Sequence, residues 1–293
     1  MRIGFVGDVV GKPGRTILKE HLQRLKFRER LDVVIANGEN SSHGFGMTAD
    51  SIGELLDSGI DVITGGNHSW DKKEILALLQ SDLPILRPLN YPQTAPGSGI
   101  GIYQIGNDSL AVLNVMGHFA MPLVDNPFTL ALAAVKTLHE QGIRHIFVDF
   151  HAEATSEKRA MFWLLSGHVS AVIGTHTHIG TDDLEIANGT LGLSDAGACG
   201  CMVANVSRAE SRGHYKSRQN APKFCRLSCM KQTAKDAVFW DIKSALSIPM
   251  NPKSSCKPIL MINIILMFCM VAKTIQRATL QEQQAYRQIR LNF

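Results

Sequence analysis

No cysteine occurs before Cys199. The six present are Cys199, Cys201, Cys225, Cys229, Cys256 and Cys269, all in the last third of the chain. A disulfide framework that spans the fold is therefore excluded, and a reducing, cytoplasmic compartment is expected. Neither Cys199-x-Cys201 nor Cys225-x3-Cys229 has the two-residue spacing usual in structural zinc sites. Long apolar runs are missing too. The longest, Ile259 to Ala272, is about 14 residues with Asn263 inside, whereas a membrane helix needs ~20. That run is expected to be a core or misfolding-prone segment, and no membrane partner is expected. Met1-Arg2 leads straight into an apolar strand-like run, so no signal peptide is expected. The sequence also lacks internal repeats and a true phosphate loop. Three residues rather than four separate Gly7 from Gly11, and Pro13 stands where Ser or Thr should follow Lys12.

With 293 residues, 45% hydrophobic and 19% charged, the chain has the composition of a soluble protein with one large domain or two small ones. Its net charge of +4 conceals an uneven distribution. Residues 205–293 carry 15 Lys and Arg against 4 Asp and Glu, leaving 15 against 22 in residues 1–204. The acidic part suits a site that collects cations. The basic part reads as a solvated or poorly structured region rather than a surface for nucleic acid or anionic lipid. The expected division is a domain over 1–204 and a divergent basic region over 205–293, with proteolysis expected to begin within 207–257.

Apolar, β-branched runs recur along the first part, and each ends on polar groups. Arg2–Gly7 closes on Asp8, followed by a glycine-rich turn and an amphipathic helix from about Thr16 to Lys26. Asp32–Ala36 closes on Asn37-Gly38-Glu39-Asn40, with His43 further along the loop as a weaker substrate-contact candidate. Ile60–Thr64 closes on Gly65-Gly66-Asn67-His68, and the next run, Asp71 to Gln80, starts with Asp71 as cap and Glu74 three positions on, a helix-start pattern. A Pro/Gly/Asn-rich loop over 82–108 is expected to wall a cleft. Strands follow near 99–105 and 110–116, then a helix opened by Asn126-Pro127. His145–Phe150 closes on His151, and Val169–Ile173 closes on Gly174-Thr175-His176-Thr177-His178. A last run, Thr190–Leu193, ends at Ser194-Asp195.

Each of these groups has a bland reading as a turn former, cap or core-edge residue. Together they differ, because an open α/β sheet brings its strand ends onto one rim. His176 and His178, two apart in an extended segment, are expected to point the same way. Two carboxylates, two amides and three imidazoles form an N/O donor set suited to Fe, Mn or Zn rather than Mg or Ca. The count suits two metal ions ~3.5–4 Å apart sharing a carboxylate and a hydroxide, a device for attacking phosphorus.

The segments GDVVGKPGR, NGENSSHG, GGNHSWDKKE, DFHAEATSEK and GTHTH resemble the calcineurin-like metallophosphoesterases, and within them the bacterial YmdB-like family of 2′,3′-cyclic-nucleotide 2′-phosphodiesterases. Val10 stands where the wider superfamily has His, and Glu39-Asn40 replaces its usual Asp, which is the subfamily's own pattern. The motifs cover about residues 1–200. Beyond Cys201 the sequence has the look of a divergent tail, or of one read out of frame. The resemblance implies an α/β sandwich of two packed β-sheets flanked by helices. It implies that Asp8, Glu39, Asn40 and His178 hold one metal and Asn67, His151 and His176 the other, with Glu39 bridging. It also implies iron as the metal, with manganese able to serve, and His68 as general acid; the residues alone leave His68 open as a ligand. The implied partner is a nucleotide or an RNA end carrying a cyclic phosphate, and a homo-oligomer is compatible with it. The alternatives are a phosphomonoester or 3′,5′-cyclic nucleotide as substrate, or a regulatory scaffold without activity.

Overall fold

The computed structural model describes residues 1–200 and the strands Val238–Trp240 and Asn263–Phe268. Strand β1 (Arg2–Val6) and the two-residue β2 (Asp8–Val9) lead into α1 (Gly11–Glu29). Then come β3 (Val33–Asn37), α2 (Ala49–Ser58), β4 (Val62–Thr64) and a single turn, α3 (Ile75–Leu78). The next stretch holds β5 (Ile100–Ile105), β6 (Asp108–Met116), α4 (Pro127–Glu140), β7 (His145–His151), α5 (Thr155–Leu165) and β8 (Ala171–Thr175). After it come β9 (Glu185–Ala187), β10 (Thr190–Leu193), β11 (Ala198–Cys199), β12 (Val238–Trp240) and β13 (Asn263–Phe268).

The strands make one sheet in the order β12-β13-β1-β3-β4, a second in the order β5-β6-β7-β8-β10-β9, and a small β11-β2 pair. Period-two alternation explains why two sheets pack and helices cover them. Ile3, Phe5, Val33 and Ile35 from the first sheet meet Leu110, Val112, Phe147, Ala171 and Ile173 from the second in one inner core. Their neighbours face outward. Val6, Val34 and Ala36 pack against Leu18, Leu22, Ile52 and Leu55 of α1 and α2. On the other side, Ala111, Leu113, Val148 and Val172 pack against Val135, Leu138, Met161 and Phe162 of α4 and α5. The layers are therefore helix, sheet, sheet, helix, the sandwich expected from the motifs.

Within each sheet the strands that matter for function run parallel: β1 with β3, β3 with β4, β6 with β7, β7 with β8, and β8 with β10. Their carboxyl ends come to a common edge formed by two sheets rather than one. Several local expectations are corrected. Helix α1 begins at Gly11 rather than near Thr16, so the glycine-rich turn is its first turn. Pro13 is tolerated there because N–H groups of a first turn have no helical acceptor to lose. Gly14 allows this approach, since a Cβ would strike the Cys199 carbonyl oxygen. The helix expected over Asp71–Gln80 shrinks to Ile75–Leu78 and has no side-chain cap. Six residues of the apolar run 259–272 form β13, which extends the first sheet in parallel register beside β1. The 204/205 boundary and the proteolysis window at 207–257, apart from β12, lie outside the described residues.

Candidate metal centre

The inward face of both sheets is apolar until the last turn of each strand, where it becomes polar. Asn37, Thr64, Asn114, Asp149, His151 and Thr175 occupy inward positions at or near the carboxyl ends of β3, β4, β6, β7 and β8, all buried. Asp149 is the hub of this floor. Its Oδ1 accepts from Thr175 Oγ1 (2.7 Å), and its Oδ2 accepts from Asn37 Nδ2 (3.1 Å) and from the Thr64 hydroxyl. Asn114 fixes the start of the Gly65–His68 loop, accepting from Gly65 N–H (3.0 Å) and donating to the Gly65 carbonyl (3.0 Å). Burial pushes the Asp149 carboxyl up to about 6, although the His151 charge and the Thr64 and Thr175 hydroxyls work against that. Truncation to Asp149→Ala leaves those donors without an acceptor in a dry interior. It should cost about 3 kcal/mol in a urea melt; an unchanged midpoint would contradict this role.

Above the floor the expected groups come together. His151 is fully buried on β7. Its Nδ1 lies 3.0 Å from Thr175 Oγ1, whose hydrogen is committed to Asp149, so Nδ1 is the donor and Nε2 points the other way. Around Nε2 are Asn67 Oδ1 (2.9 Å), His176 Nδ1 (3.1 Å) and Glu39 Oε1 (3.2 Å). Glu39, His151 and His176 can all reach one ion among the described residues. The other group lies alongside. Asn40 Nδ2 is 3.0 Å from Glu39 Oε1 and 3.1 Å from His178 Nε2, and His178 Nε2 is 3.7 Å from Asp8 Oδ1. Glu39 thus belongs to both groups. Gly66 makes room for it, since any Cβ there would collide with Glu39 Oε2 and the His151 ring.

His176 and His178 reach the site differently from the extended segment expected. Strand β8 stops at Thr175, and the two residues have φ of 99° and 62°, both in the left-handed region. The bend sends His176 to His151 and His178 to Asp8 and Asn40. Glu153 takes the far side of His176, with Oε2 3.0 Å from Nε2.

The donor set passes a direct test for a cation. Asp8 is wholly buried, and its Oδ1 has no hydrogen-bond partner, whereas its Oδ2 accepts from His176 N–H (3.0 Å). A buried, unsatisfied carboxylate oxygen facing imidazoles and a second carboxylate is what a metal ligand looks like. Burial would raise the Asp8 pKa, but His178 and His151 outweigh it and hold the carboxylate ionised. Glu39 is lowered in the same way, burial being opposed by His151. Burial alone would lower His151, yet Glu39, Asp8 and Asp149 raise it to about 9. Burial and the His151 charge drive His176 down to about 4. His151 therefore supplies the positive charge that a cation at Nε2 would supply instead.

The sign of the resulting pH dependence follows. With chelator present, the raised pKa of His151 gives stability that is complete below its unfolded value near 6.5 and lost as pH rises to about 9. Thermal melts in chelator should decline over that window. Excess metal should reverse the trend, because it displaces the proton. A flat chelator profile from pH 6.5 to 9 would contradict the assignment.

His68 stands apart from both groups. Its backbone N–H donates to Glu39 Oε2 (3.0 Å), which anchors it at the site. Its ring is held elsewhere, Nδ1 lying 2.9 Å from Asp71 Oδ2 and the ring edge-on to Phe45 with centroids 4.9 Å apart. Asp71, expected to be a helix cap, is thus the orienting partner of His68. His43, at φ 58°, lies outside the cluster on a cavity of about 410 Å³ that also involves Arg15, Glu54 and Lys72. Asn37, Asp71, Asn114, Asp149, Glu153 and Thr175 join the site in addition to the residues expected from the sequence. One signal was legible: Asp149 and His151 are two apart on a strand and so share its inner face.

A family model for YmdB-like proteins matches residues 5–248, further than the motifs extend. The chain is 45% identical over 203 residues to a 2′,3′-cyclic-nucleotide 2′-phosphodiesterase from Bacillus subtilis, covering 68% of this chain and 76% of that protein. It resembles the crystal structure of a hypothetical protein from Thermus thermophilus at 43% identity and a TM-score of 0.63, covering 67% of this chain and 76% of that one. A novel phosphatase from Mycoplasma pneumoniae follows at 34% identity and a TM-score of 0.62, with 66% and 70% covered. Two sheets packed face to face between helices, with donors gathered at their carboxyl edge, are the metallophosphoesterase sandwich. By the family match over residues 5–248, the chain belongs to the YmdB-like protein family.

Proposed function

We propose that the protein is a dinuclear metal-dependent phosphodiesterase that opens 2′,3′-cyclic nucleotides, or RNA ends carrying them, at the 2′ bond. The observation that carries the reading is Glu39, whose Oε1 accepts from Asn40 Nδ2 at 3.0 Å and lies 3.2 Å from His151 Nε2, between the two groups. Asp8, Asn40 and His178 would hold one ion with Glu39, and Asn67, His151 and His176 the other. When bound, such a pair lowers the pKa of water and neutralises charge at phosphorus. Iron, or manganese in its place, suits the donors. The activity named for the Bacillus subtilis relative supports the substrate class.

The chain's own residues account for the proton. In the reaction an oxygen of water bonds to phosphorus, the P–O2′ bond breaks, and O2′ needs a proton to leave as a hydroxyl, giving a 3′-monophosphate. His68 is the donor. Asp71 holds Nδ1, which leaves Nε2 for the leaving oxygen, and the Glu39 contact to its backbone fixes its distance from the cluster. The substrate is met in the reducing, cytoplasmic compartment that the cysteine distribution suits, and no helix among the described residues is long and apolar enough to cross a membrane. Steady-state rates with added Mn2+ on 2′,3′-cyclic AMP, 3′,5′-cyclic AMP and a phosphomonoester test the assignment. The first should dominate kcat/KM. Dominance of either other substrate would overturn it.

A further inference from the structure

The buried Lys158–Asp195 pair plays no part in the chemistry described so far. It links the two segments that bring Asp8, His176 and His178 together. Asp195, just past β10, and Lys158 of α5 are 1% and 4% exposed, and their ion pair measures 2.6 Å. The same Oδ2 accepts from Thr177 Oγ1 (2.8 Å) and Thr177 N–H (3.2 Å). Oδ1 accepts from Gly197 N–H (2.7 Å), and the Gly197 carbonyl accepts from Asp8 N–H (3.1 Å). One carboxylate therefore grips the residue between His176 and His178 and, through Gly197, the backbone of Asp8. Both histidines have a left-handed backbone that non-glycine residues adopt only when their surroundings enforce it.

We propose that Asp195, locked by Lys158, is a positioning residue: through Thr177 and Gly197 it sets the spacing of Asp8, His176 and His178 for metal. The proposal rests on the reading of the site as a metal centre. Lys158 serves by charge and reach. It passes over Gly174, where a Cβ would press on its side chain, and neutralises a carboxylate that would otherwise be buried alone. Thr177 touches no other ionised group among its hydrogen bonds, so it probes the grip without exposing a buried charge.

The test uses the full chain stripped of metal, with Mn2+ titrated and free ion followed by electron paramagnetic resonance. Thr177→Val should bind Mn2+ ~10–100-fold more weakly, the loss typical when a group that orients a ligand is removed. Thr177→Ser should restore wild-type affinity, and metal-free Thr177→Val should keep the wild-type far-UV circular dichroism. Asp195→Asn should weaken Mn2+ binding by at least as much as Thr177→Val. If it does not fold, the Thr177 pair decides. Wild-type affinity in Thr177→Val would overturn the proposal and leave the metal centre standing. A wild type that takes up no Mn2+ would overturn the metal centre and the proposal with it.

Discussion

Replacing Glu39 with alanine should strip both ions and reduce turnover by ~10³-fold or more, the scale at which charge stabilisation at the reacting centre is lost. Its Oε1 lies within 3.2 Å of a side-chain nitrogen from each group, Asn40 Nδ2 and His151 Nε2. Asn67→Ala removes a neutral oxygen beside His151 alone and should mainly weaken one ion. The contrast is the informative part. Glu39→Ala also takes the partners from His151 Nε2 and from His68 N–H. The His151 pKa, raised largely by Glu39, should then fall toward its ordinary value. Metal content by elemental analysis, on protein whose far-UV circular dichroism is unchanged, checks this. Equal metal in wild type and Glu39→Ala would mean that Glu39 bridges nothing.

His68→Ala should do the opposite, keeping both ions and losing ~10²–10⁴-fold in kcat on 2′,3′-cyclic nucleotides, the range for a positioned proton donor. An aryl phosphodiester, whose leaving group needs little protonation, should lose much less. The ring of His68 is tied to Asp71 and Phe45 rather than to the cluster, so its removal deletes no metal donor. Asp71→Asn should reproduce part of the defect on the cyclic nucleotide with metal intact, since it disturbs only the orientation of the ring. Equal losses on both substrates would make His68 a group that stabilises charge. Loss of metal would make it a ligand.

That Asp8, Glu39, Asn40, Asn67, His151, His176 and His178 would gather was legible because strand ends are readable. A β-branched run announces the strand, and the first polar group after it marks the edge. The sequence carried less about how the ends are presented. His176 and His178 look extended because nothing in Thr-His-Thr-His forbids it; in the fold the chain bends after Thr175, where Thr177 donates twice to Asp195, a residue eighteen positions beyond it in sequence. Asp71 looked like a cap because Glu74 follows three positions on. In the fold the pull of the His68 ring wins, and the helix is reduced to one turn. Asp149 reads as part of an apolar strand, although its place two before His151 puts it under the site. The joining of two sheets at one edge could not be read from periodicity, since both sheets alternate in the same way. Nor could β13, whose apolar residues suit a buried strand, a buried helix or a misfolding-prone segment equally well.

The central claim is that these strand ends hold two ions and that the ions are needed for the chemistry. The most direct test is elemental analysis of freshly purified full-length protein, followed by stepwise removal and return of metal while 2′,3′-cyclic AMP hydrolysis is monitored. The account predicts two ions of iron or manganese per chain, activity that vanishes with chelation, and recovery that requires the second equivalent. Full hydrolysis by protein that carries no metal would contradict it.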